Sequence, residues 1–456
     1  MTITLDLEAS TSDSSSRRTL SSLSSAVAHC KKIVVLTGAG ISCSCGIPDF
    51  RSSDGLYALV KEQYPDVVLR GRDLFDASLF RDSTSTAVFY TFISQLKVSI
   101  DSASPSPTHR FLKTLDSKRK LLRSYTQNID GLEERAGLVG SSSQEARTNG
   151  KGKAKLKAKD VRNVQLHGDI HRVRCTFCSA QFPCTQDHID HFNRGTPPDC
   201  PECAARSAAR IARSARALKV GTLRPAIVLY DEPHPLGDDI GSIQSVDIKR
   251  KPDMLIIMGT SLKVHGFKKL VKDFAKAVHD SVPSPPTTAK KFAGKVIYVN
   301  KTAPGSEWDE IIDYHVEGDS DRWVEKVLKD WKSMKPADWE VQTTLKAKDG
   351  DAPGTFRVVK EITNTIGNKG KSGRRKPDSR RENMLPVAVV EPLPSIPQPP
   401  SSPGKRRKVN DEDDDDVERS PRKKSREKGR ENFHFEERGM LFGNSTNNKA
   451  TGICSI

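Results

Sequence analysis

Short apolar runs at 33–37 (IVVLT), 121–126 (LLRSYT), 226–230 (AIVLY), 254–258 (MLIIM) and 295–299 (KVIYV) recur along the first three quarters of the chain, separated by longer stretches of mixed polarity. Each run has the length of a strand and little alternation, the pattern of a strand covered on both faces. The intervening stretches are long enough for helices. The alternation therefore predicts an α/β fold, a Rossmann-like, doubly wound parallel sheet with helices on both sides, over about residues 29–335.

Four regions break that pattern. Residues 1–28 are Ser/Thr-rich and weakly apolar, which predicts a disordered, flexible N-terminal arm. Residues 140–163 lack apolar periodicity and carry seven Lys/Arg, which predicts a basic disordered loop. Residues 172–220 hold two C-x-x-C pairs and read as a small module inserted in the sheet domain; within it the Ala/Arg-rich 204–218 predicts a helix on propensity alone. Beyond about 345 the chain turns polar. A Pro-rich segment at 392–403 leads into KRRK (405–408), DEDDDD (411–416) and RKKSR (422–426), so 345–456 is expected to be a long disordered tail.

Composition fits one folded domain with polar extensions. Of 456 residues, 35% are hydrophobic, below the roughly 45–50% of an ordinary globular domain, a figure that includes Gly. No apolar run approaches the roughly 18–20 residues that a membrane-crossing helix needs, so no membrane span is expected. The N-terminus has neither a basic leader segment nor an apolar core, so no secretory leader is expected either. Nine cysteines make an odd count for a disulfide framework, and paired C-x-x-C motifs in a reducing compartment read as metal binding. Cytosol or nucleus follows as the expected location.

Cys175, Cys178, Cys200 and Cys203 have the spacing of a tetrahedral, structural Zn²⁺ site, closed to water. Cys184, His188 and His191 are competing donors and are read as bystanders. Cys30, Cys43, Cys45 and Cys454 read as ordinary thiols. Gly38-Ala39-Gly40 follows the first strand, where glycines let backbone N–H groups approach a pyrophosphate. The third Gly of the dinucleotide fingerprint is absent, with Cys43 in its place, and a tight strand-to-helix turn is the alternative reading of the motif. Ile47-Pro48-Asp49-Phe50-Arg51 follows on an irregular loop, since Pro48 disfavours helix at Ile47. Gly259-Thr260-Ser261 and Asn300 follow two further strand runs, at the ends where parallel sheets bind ligands. Gln127, Asn128 and Asp130 follow another, and His167-Gly168 brings an imidazole whose ordinary pKa suits proton transfer near neutrality. Surface or core placement is the alternative for any one histidine among eleven.

In this order, GAGIS, GIPDFRS, TQNIDGLE, HGD, the paired CxxC motifs, GTSL and a strand-terminal VN make the chain resemble the sirtuin family of NAD-dependent protein-lysine deacylases over roughly 30–330. RSSDGLYALV, GRDLFDASLF and VLYDEPHPLGDDIG further resemble its fungal nuclear class I branch, which acts on histone H3. The resemblance implies removal of acetyl groups from protein lysines, giving nicotinamide and O-acetyl-ADP-ribose, with roles in chromatin silencing and genome maintenance. It implies His167 as the base that deprotonates a ribose hydroxyl and Asn128 as the residue that orients the nicotinamide ribose. It assigns cofactor contacts to Gly38, Ala39, Gly40, Ile47, Asp49, Phe50, Arg51, Tyr57, Gln127, Asp130, Gly259, Thr260, Ser261, Asn300, Asp319 and Ser320.

The chain departs from the family at three places. Asp231 stands where the family often has the Gly of F-G-E, Gly266 where it has the Pro of V-x-P, and Ser320 where it has a Cys beside adenine. The expected partners are an acetylated histone or other acyl-lysine protein and, through KRRK and RKKSR, an import receptor. Histone tails are basic, so the +16 net charge does not attract them. The basic loop and tail instead suit DNA or nucleosome contact, or an acidic partner face. The rival activities are protein mono-ADP-ribosylation on the same fold and a non-catalytic chromatin adaptor.

Overall fold

The computed structural model describes residues 2–9, 13–49, 58, 61–62, 71–143, 146, 156–282, 292–340, 343–347 and 356–360. Among them, seven strands form one parallel sheet: β1 (Ile3–Asp6), β2 (Ile33–Thr37), β3 (Leu121–Thr126), β4 (Asn163–Gln165), β8 (Met254–Met258), β9 (Lys295–Asn300) and β10 (Tyr314–Glu317), in the order β1-β10-β9-β8-β2-β3-β4. The order reverses between β2 and β8. That reversal is the switch point of a doubly wound sheet and opens a crevice at the carboxyl ends of the two strands.

The central strands β2 and β8 are covered on both faces, which is why they carry unbroken apolar runs. Ile33, Val35, Ile256, Met258, Ile297 and Val299 face one layer, where α1 (Ser14–His29), α3 (Pro107–Ser117) and α9 (Ser320–Met334) bury Leu23, Val27, Phe111, Trp323 and Trp331 against them. Val34, Leu36, Leu255, Ile257 and Tyr298 face the other, under α7 (Gly237–Lys249) and α8 (His265–His279). A buried charge interrupts this second core. Arg123 of β3 pairs with Asp247 of α7 through Nε at 2.5 Å and also bonds the carbonyls of Val161 and Ala158, while the Tyr125 hydroxyl donates to Asp247 at 2.8 Å. The network ties the chain just before β4 to the sheet.

The small domain is larger than the cysteine spacing indicates. Its sheet is antiparallel, in the order β6-β5-β7, from β5 (Gly168–Cys175), β6 (Gln181–Pro183) and β7 (Leu223–Ile227). Its core draws Phe89, Tyr90, Ile93 and Leu96 from α2 (Ser83–Ser102), together with Leu74 and Leu79, onto Ile170, Val173, Phe192 and Leu223. Two separated stretches, 71–102 and 168–230, therefore build one module, with α5 (Gln186–Asn193) and α6 (Pro201–Ile211) on its outside.

Several expectations are corrected. Residues 3–6 and 14–29 are a strand and a helix, not a flexible arm. Asp13 caps α1 by accepting from the amides of Ser15 and Ser16, and Leu20, Leu23 and Val27 form its buried stripe. The run at 226–230 gives β7 at 223–227, in the small antiparallel sheet. The helix expected at 204–218 ends at Ile211. Within the segment read as a basic loop, 140–143, 146 and 156–163 are described, and Gly140 bridges to Asn163; the remaining positions lie outside the described residues. Thr343–Ala347 and Phe356–Lys360 pair as the antiparallel strands β11 and β12 of a second unit, within the region read as tail. Residues 361–456 lie outside the described residues. No described helix is long and apolar enough to cross a membrane.

Candidate active site

At the switch point the loops after β2 and β8 interlock through their backbones. Gly38 donates its N–H to the Met258 carbonyl at 3.1 Å, and Gly40 to the Gly259 carbonyl at 2.8 Å. Gly259 has φ +62°, and a Cβ there would lie 2.5 Å from the Ile41 nitrogen. Close loop packing, more than phosphate approach, is thus what demands these glycines: two of the amides read as pyrophosphate donors are spent on holding β2 to β8. Ala39–Cys45 continues as a 3-10 turn, and Ala39, Ser42, Ile47, Pro48, Leu96, Ile100, Asn128, Ile129 and Asp130 line a pocket beside it.

The loop after β3, which leads into the short α4 (Leu132–Arg135), supplies the polar wall. Gln127 donates from Nε2 to Thr260 Oγ1 at 2.8 Å, across the switch point. Ser42 joins the next two residues: its Oγ donates to Asp130 Oδ2 at 2.7 Å and accepts from Asn128 Nδ2 at 3.1 Å. Asn128 is 4% exposed, and its Oδ1 has no protein partner. Such an orphaned acceptor is costly unless a ligand or water fills it. His171 also supports the loop, its Nε2 bonding to the Asp130 carbonyl at 2.8 Å.

His167 follows β4 after Leu166, at the same edge of the sheet. Its Nδ1 lies 2.8 Å from the Gln127 carbonyl oxygen. A carbonyl only accepts, so Nδ1 carries the proton and Nε2 is the basic nitrogen of the neutral ring. The next residue, Gly168, has φ +83°, and a Cβ would stand 2.2 Å from the Ala226 carbonyl oxygen. Gly168 therefore serves the close β5–β7 pairing. His234 lies close enough for the His167 charge to act on it. Burial, with that charge second, pushes the His234 imidazole down to about 4, so this neighbour is neutral.

Behind the pocket Asp130 meets two buried residues that the motifs did not single out, His109 and Glu133. His109, Asp130 and Glu133 bring one donor atom each within 4.8 Å of one another. The Ser106 N–H donates to His109 Nδ1 at 3.2 Å, and burial lowers the His109 pKa. Burial, followed by the Asp130 charge, pushes the Glu133 carboxyl up to about 8. A carboxyl with a folded pKa above its unfolded 4.5 stabilises the fold least once it should ionise: its contribution is complete below pH 4.5 and is lost as pH rises to about 8. Glu133→Gln, neutral at every pH, is expected to match the parent at pH 4.5. It should then gain stability progressively to pH 8, by on the order of 2–4 kcal/mol. Melting curves taken across this range test it, and parallel pH profiles for the two proteins would contradict it.

The remaining candidates lie along the same carboxyl edge but are held locally. Thr260 is buried and accepts from the Leu262 amide, whereas Ser261 is exposed. Asn300 donates to the Thr302 carbonyl at 3.1 Å. Asp319 caps α9 by accepting from the Asp321 amide, and Ser320 accepts from Thr108 Oγ1 at 3.2 Å, so the serine in place of cysteine faces α3. Asp49 is half-buried, while Phe50, Arg51 and Tyr57 lie outside the described residues. Asp231 keeps φ +61°, the conformation a glycine would take. Glu232 next to it pairs with both Arg174 and Arg224 and locks that turn onto the small sheet. Gly266 is buried in the first turn of α8.

The four predicted metal ligands converge. Cys175 and Cys203 Sγ are 3.8 Å apart and Cys178 and Cys200 Sγ 3.7 Å apart, with all four within 4.8 Å. Tetrahedral Zn–S bonds of about 2.3 Å set sulfur–sulfur edges of about 3.8 Å, so the donor set fits Zn²⁺ with no position left for water. The amides of Phe177 and Cys178 donate to Cys175 Sγ at 3.3 Å each, as suits a thiolate. His188 is occupied as a helix cap for Thr185, and Cys184 packs in the small-domain core; neither joins the cluster.

A model described as the Sir2 family matches residues 38–145 and 153–266. A Candida albicans protein named NAD-dependent histone deacetylase HST3 is 46% identical over 307 residues, covering 66% of this chain and 60% of that one. The Saccharomyces cerevisiae protein of the same name is 45% identical over 300 residues, covering 64% of each. A Schizosaccharomyces pombe protein named NAD-dependent protein deacetylase hst4 is 35% identical over 379 residues, 83% of this chain and 84% of that one. The chain thus spans less than two thirds of the first two relatives and most of the third.

Proposed function

The chain belongs to the Sir2 (sirtuin) family, and on that premise we propose that it is an NAD-dependent protein-lysine deacetylase acting on acetylated histones in the nucleus. The observation that carries this reading is the pairing of a base with an unfilled acceptor. His167 presents a basic Nε2 because Nδ1 is held by the Gln127 carbonyl, and the neighbouring Asn128 keeps Oδ1 unpartnered at 4% exposure. NAD, when bound, supplies an electrophilic ribose carbon whose bond to nicotinamide is the one that breaks. The crevice where the Gly38, Gly40 and Gly259 turns interlock at the switch point would hold its phosphates, with Gly38 and Gly40 serving the close loop packing.

Ser42 orients the Asn128 and Asp130 side chains toward the pocket, where Ile47, Leu96, Ile100 and Ile129 exclude water. Asn128 Oδ1 accepts from a ribose hydroxyl or an ordered water, and His167 Nε2 takes the ribose proton. The acyl-lysine peptide enters beside Tyr230–Glu232, where main-chain pairing tolerates many sequences. Zn²⁺ held by the four cysteines keeps the small domain folded and takes no part in the reaction.

The histone target and the nuclear location are supported by the relatives' names and by the KRRK and RKKSR segments. Incubating the zinc-loaded full chain with NAD and acetylated or unmodified histone H3 peptides is expected to give peptide-dependent nicotinamide release, with the acetyl mass moving from peptide to ADP-ribose. A gain of ADP-ribose mass on the peptide, with acetyl retained, would favour the transferase reading instead.

A further inference from the structure

From Cys203 to Tyr230 the chain contains no Asp or Glu, yet it places Arg206, Arg210, Arg213, Arg216 and Lys219 within a lobe of the small domain. The lobe is α6 and the segment that returns from it. Its base is fixed at the metal cluster, since Cys200 caps α6, Cys203 lies in its first turn, and the Cys200 amide donates to the Gly221 carbonyl at 2.7 Å. Ser207 staples the return segment to the helix, its hydroxyl donating to the Leu218 carbonyl at 3.2 Å and accepting from the Leu218 amide at 3.1 Å.

Within this frame two guanidinium groups are anchored by one edge. Arg210 donates from Nε to the Arg216 carbonyl, and Arg213 from Nε to the Ala209 carbonyl, each at 3.0 Å. The anchoring fixes each planar fork while its two terminal nitrogens remain outside these bonds. The positions between are short: Ala204, Ala205, Ala208, Ala209, Ala212 and Ala217 are all exposed. Arg206, Arg213, Arg216 and Lys219 are exposed and Arg210 is half-buried, and among the described residues only Arg206 of these has an acidic partner, Glu202 at 2.7 Å.

We propose that this Arg-rich lobe of the small domain is a docking surface for the phosphate backbone of duplex DNA. A fixed guanidinium fork matches two phosphate oxygens in a way an ammonium does not. Short neutral neighbours let a rigid polyanion approach several forks at once. An acidic protein face is the alternative anion, but protein interfaces centre on aromatic or Arg anchors seated in buried pockets. Here the large apolar side chains on the lobe are Ile211 and Leu218, both exposed, and the centre is charge. The surface is built on the metal-clamped module and contains none of the residues assigned to the reaction, so it is independent of the catalytic reading.

The test uses the zinc-loaded full chain and a fluorescent 20-base-pair duplex, with anisotropy titrations over a range of salt. The variant replaces Arg210, Arg213, Arg216 and Lys219 by Ala, a residue that favours helix. Each lost phosphate contact lowers the slope of log K against log salt by about 0.9. The variant is therefore expected to lose up to about 3.6 units of slope and at least tenfold in affinity at 100 mM salt, with peptide-dependent nicotinamide release unchanged. An unaltered slope overturns the proposal, as does loss of affinity for a poly-Glu peptide with DNA binding intact, which would assign the lobe to an acidic protein. Should the fourfold variant lose its metal or its fold, Arg213→Glu alone decides: an unchanged DNA affinity in a folded Arg213→Glu protein overturns the proposal equally.

Discussion

His167→Ala is expected to lower kcat for acetyl-peptide turnover by about 10³-fold, within the range that a positioned base contributes. The fold should not register the change. His167 is half-buried at the edge of the sheet, its Nδ1 bonds to a backbone carbonyl, and neither hydrophobic core of the sheet domain contains it. Metal content and melting temperature should therefore match the parent, which separates a chemical role from a structural one. The variant should also split two measurable steps. A base that acts after nicotinamide has left is not needed for that departure or its reversal, so exchange of labelled nicotinamide into NAD should fall far less than acetyl transfer. His167→Gln should not rescue turnover, because an amide nitrogen is not a base. If both variants lose less than tenfold, His167 is not the base.

How legible this was depends on where the deciding contacts lie along the chain. β2, β8 and β9 could be read because strands covered on both faces carry unbroken apolar runs, and β3 because its run is broken only by the buried Arg123 and Ser124. β1, β4 and β10 are three or four residues each, ITLD, NVQ and YHVE, and leave no such run. The N-terminal helix was hidden by composition. Its serines suggest disorder, but Leu20, Leu23 and Val27 repeat at helical spacing behind the Asp13 cap. The run at 226–230 resembles the sheet strands, yet Pro225 immediately before it marks a different sheet, where β7 pairs antiparallel with β5.

The site shows the same division. His167, Asn128, Gln127, Asp130 and the four cysteines sit in compact motifs. Ser42 was in view in GAGIS but had no legible role, because its bonds to Asn128 and Asp130 cross 86 and 88 positions. His109 and Glu133 acquire meaning only where the fold buries them beside Asp130. The contribution of α2 to the small domain left no local signature at all, since it depends on Phe89, Tyr90 and Ile93 meeting a core built about 80 residues later.

That shared core sets the expected outcome of removing the metal. Cys175, Cys200 and Cys203 are buried within the same cluster as Leu96 and Ile100 of α2, and those two side chains line the pocket beside Asn128. Cys175 also ends β5, whose first residue, Gly168, pairs with Ile227 directly after His167. Loss of Zn²⁺ should therefore propagate from the cluster into both the pocket wall and the support of the base. Structural zinc contributes on the order of 10 kcal/mol to small modules that fold around it, more than the remaining small-domain core can be expected to replace.

Chelation, or Cys200→Ser, should abolish acetyl transfer by more than 100-fold. The parallel sheet should remain folded, because neither of its two cores includes a zinc ligand. Amide hydrogen exchange resolves the two halves: protection should collapse over 168–227 and over α2, yet persist in β2, β8 and β9. Returning Zn²⁺ to the chelated parent, but not to Cys200→Ser, should restore both protection and turnover. Full activity in metal-free protein would show that the pocket wall stands without its clamp, and that the two stretches forming the small domain are held by their apolar contacts alone.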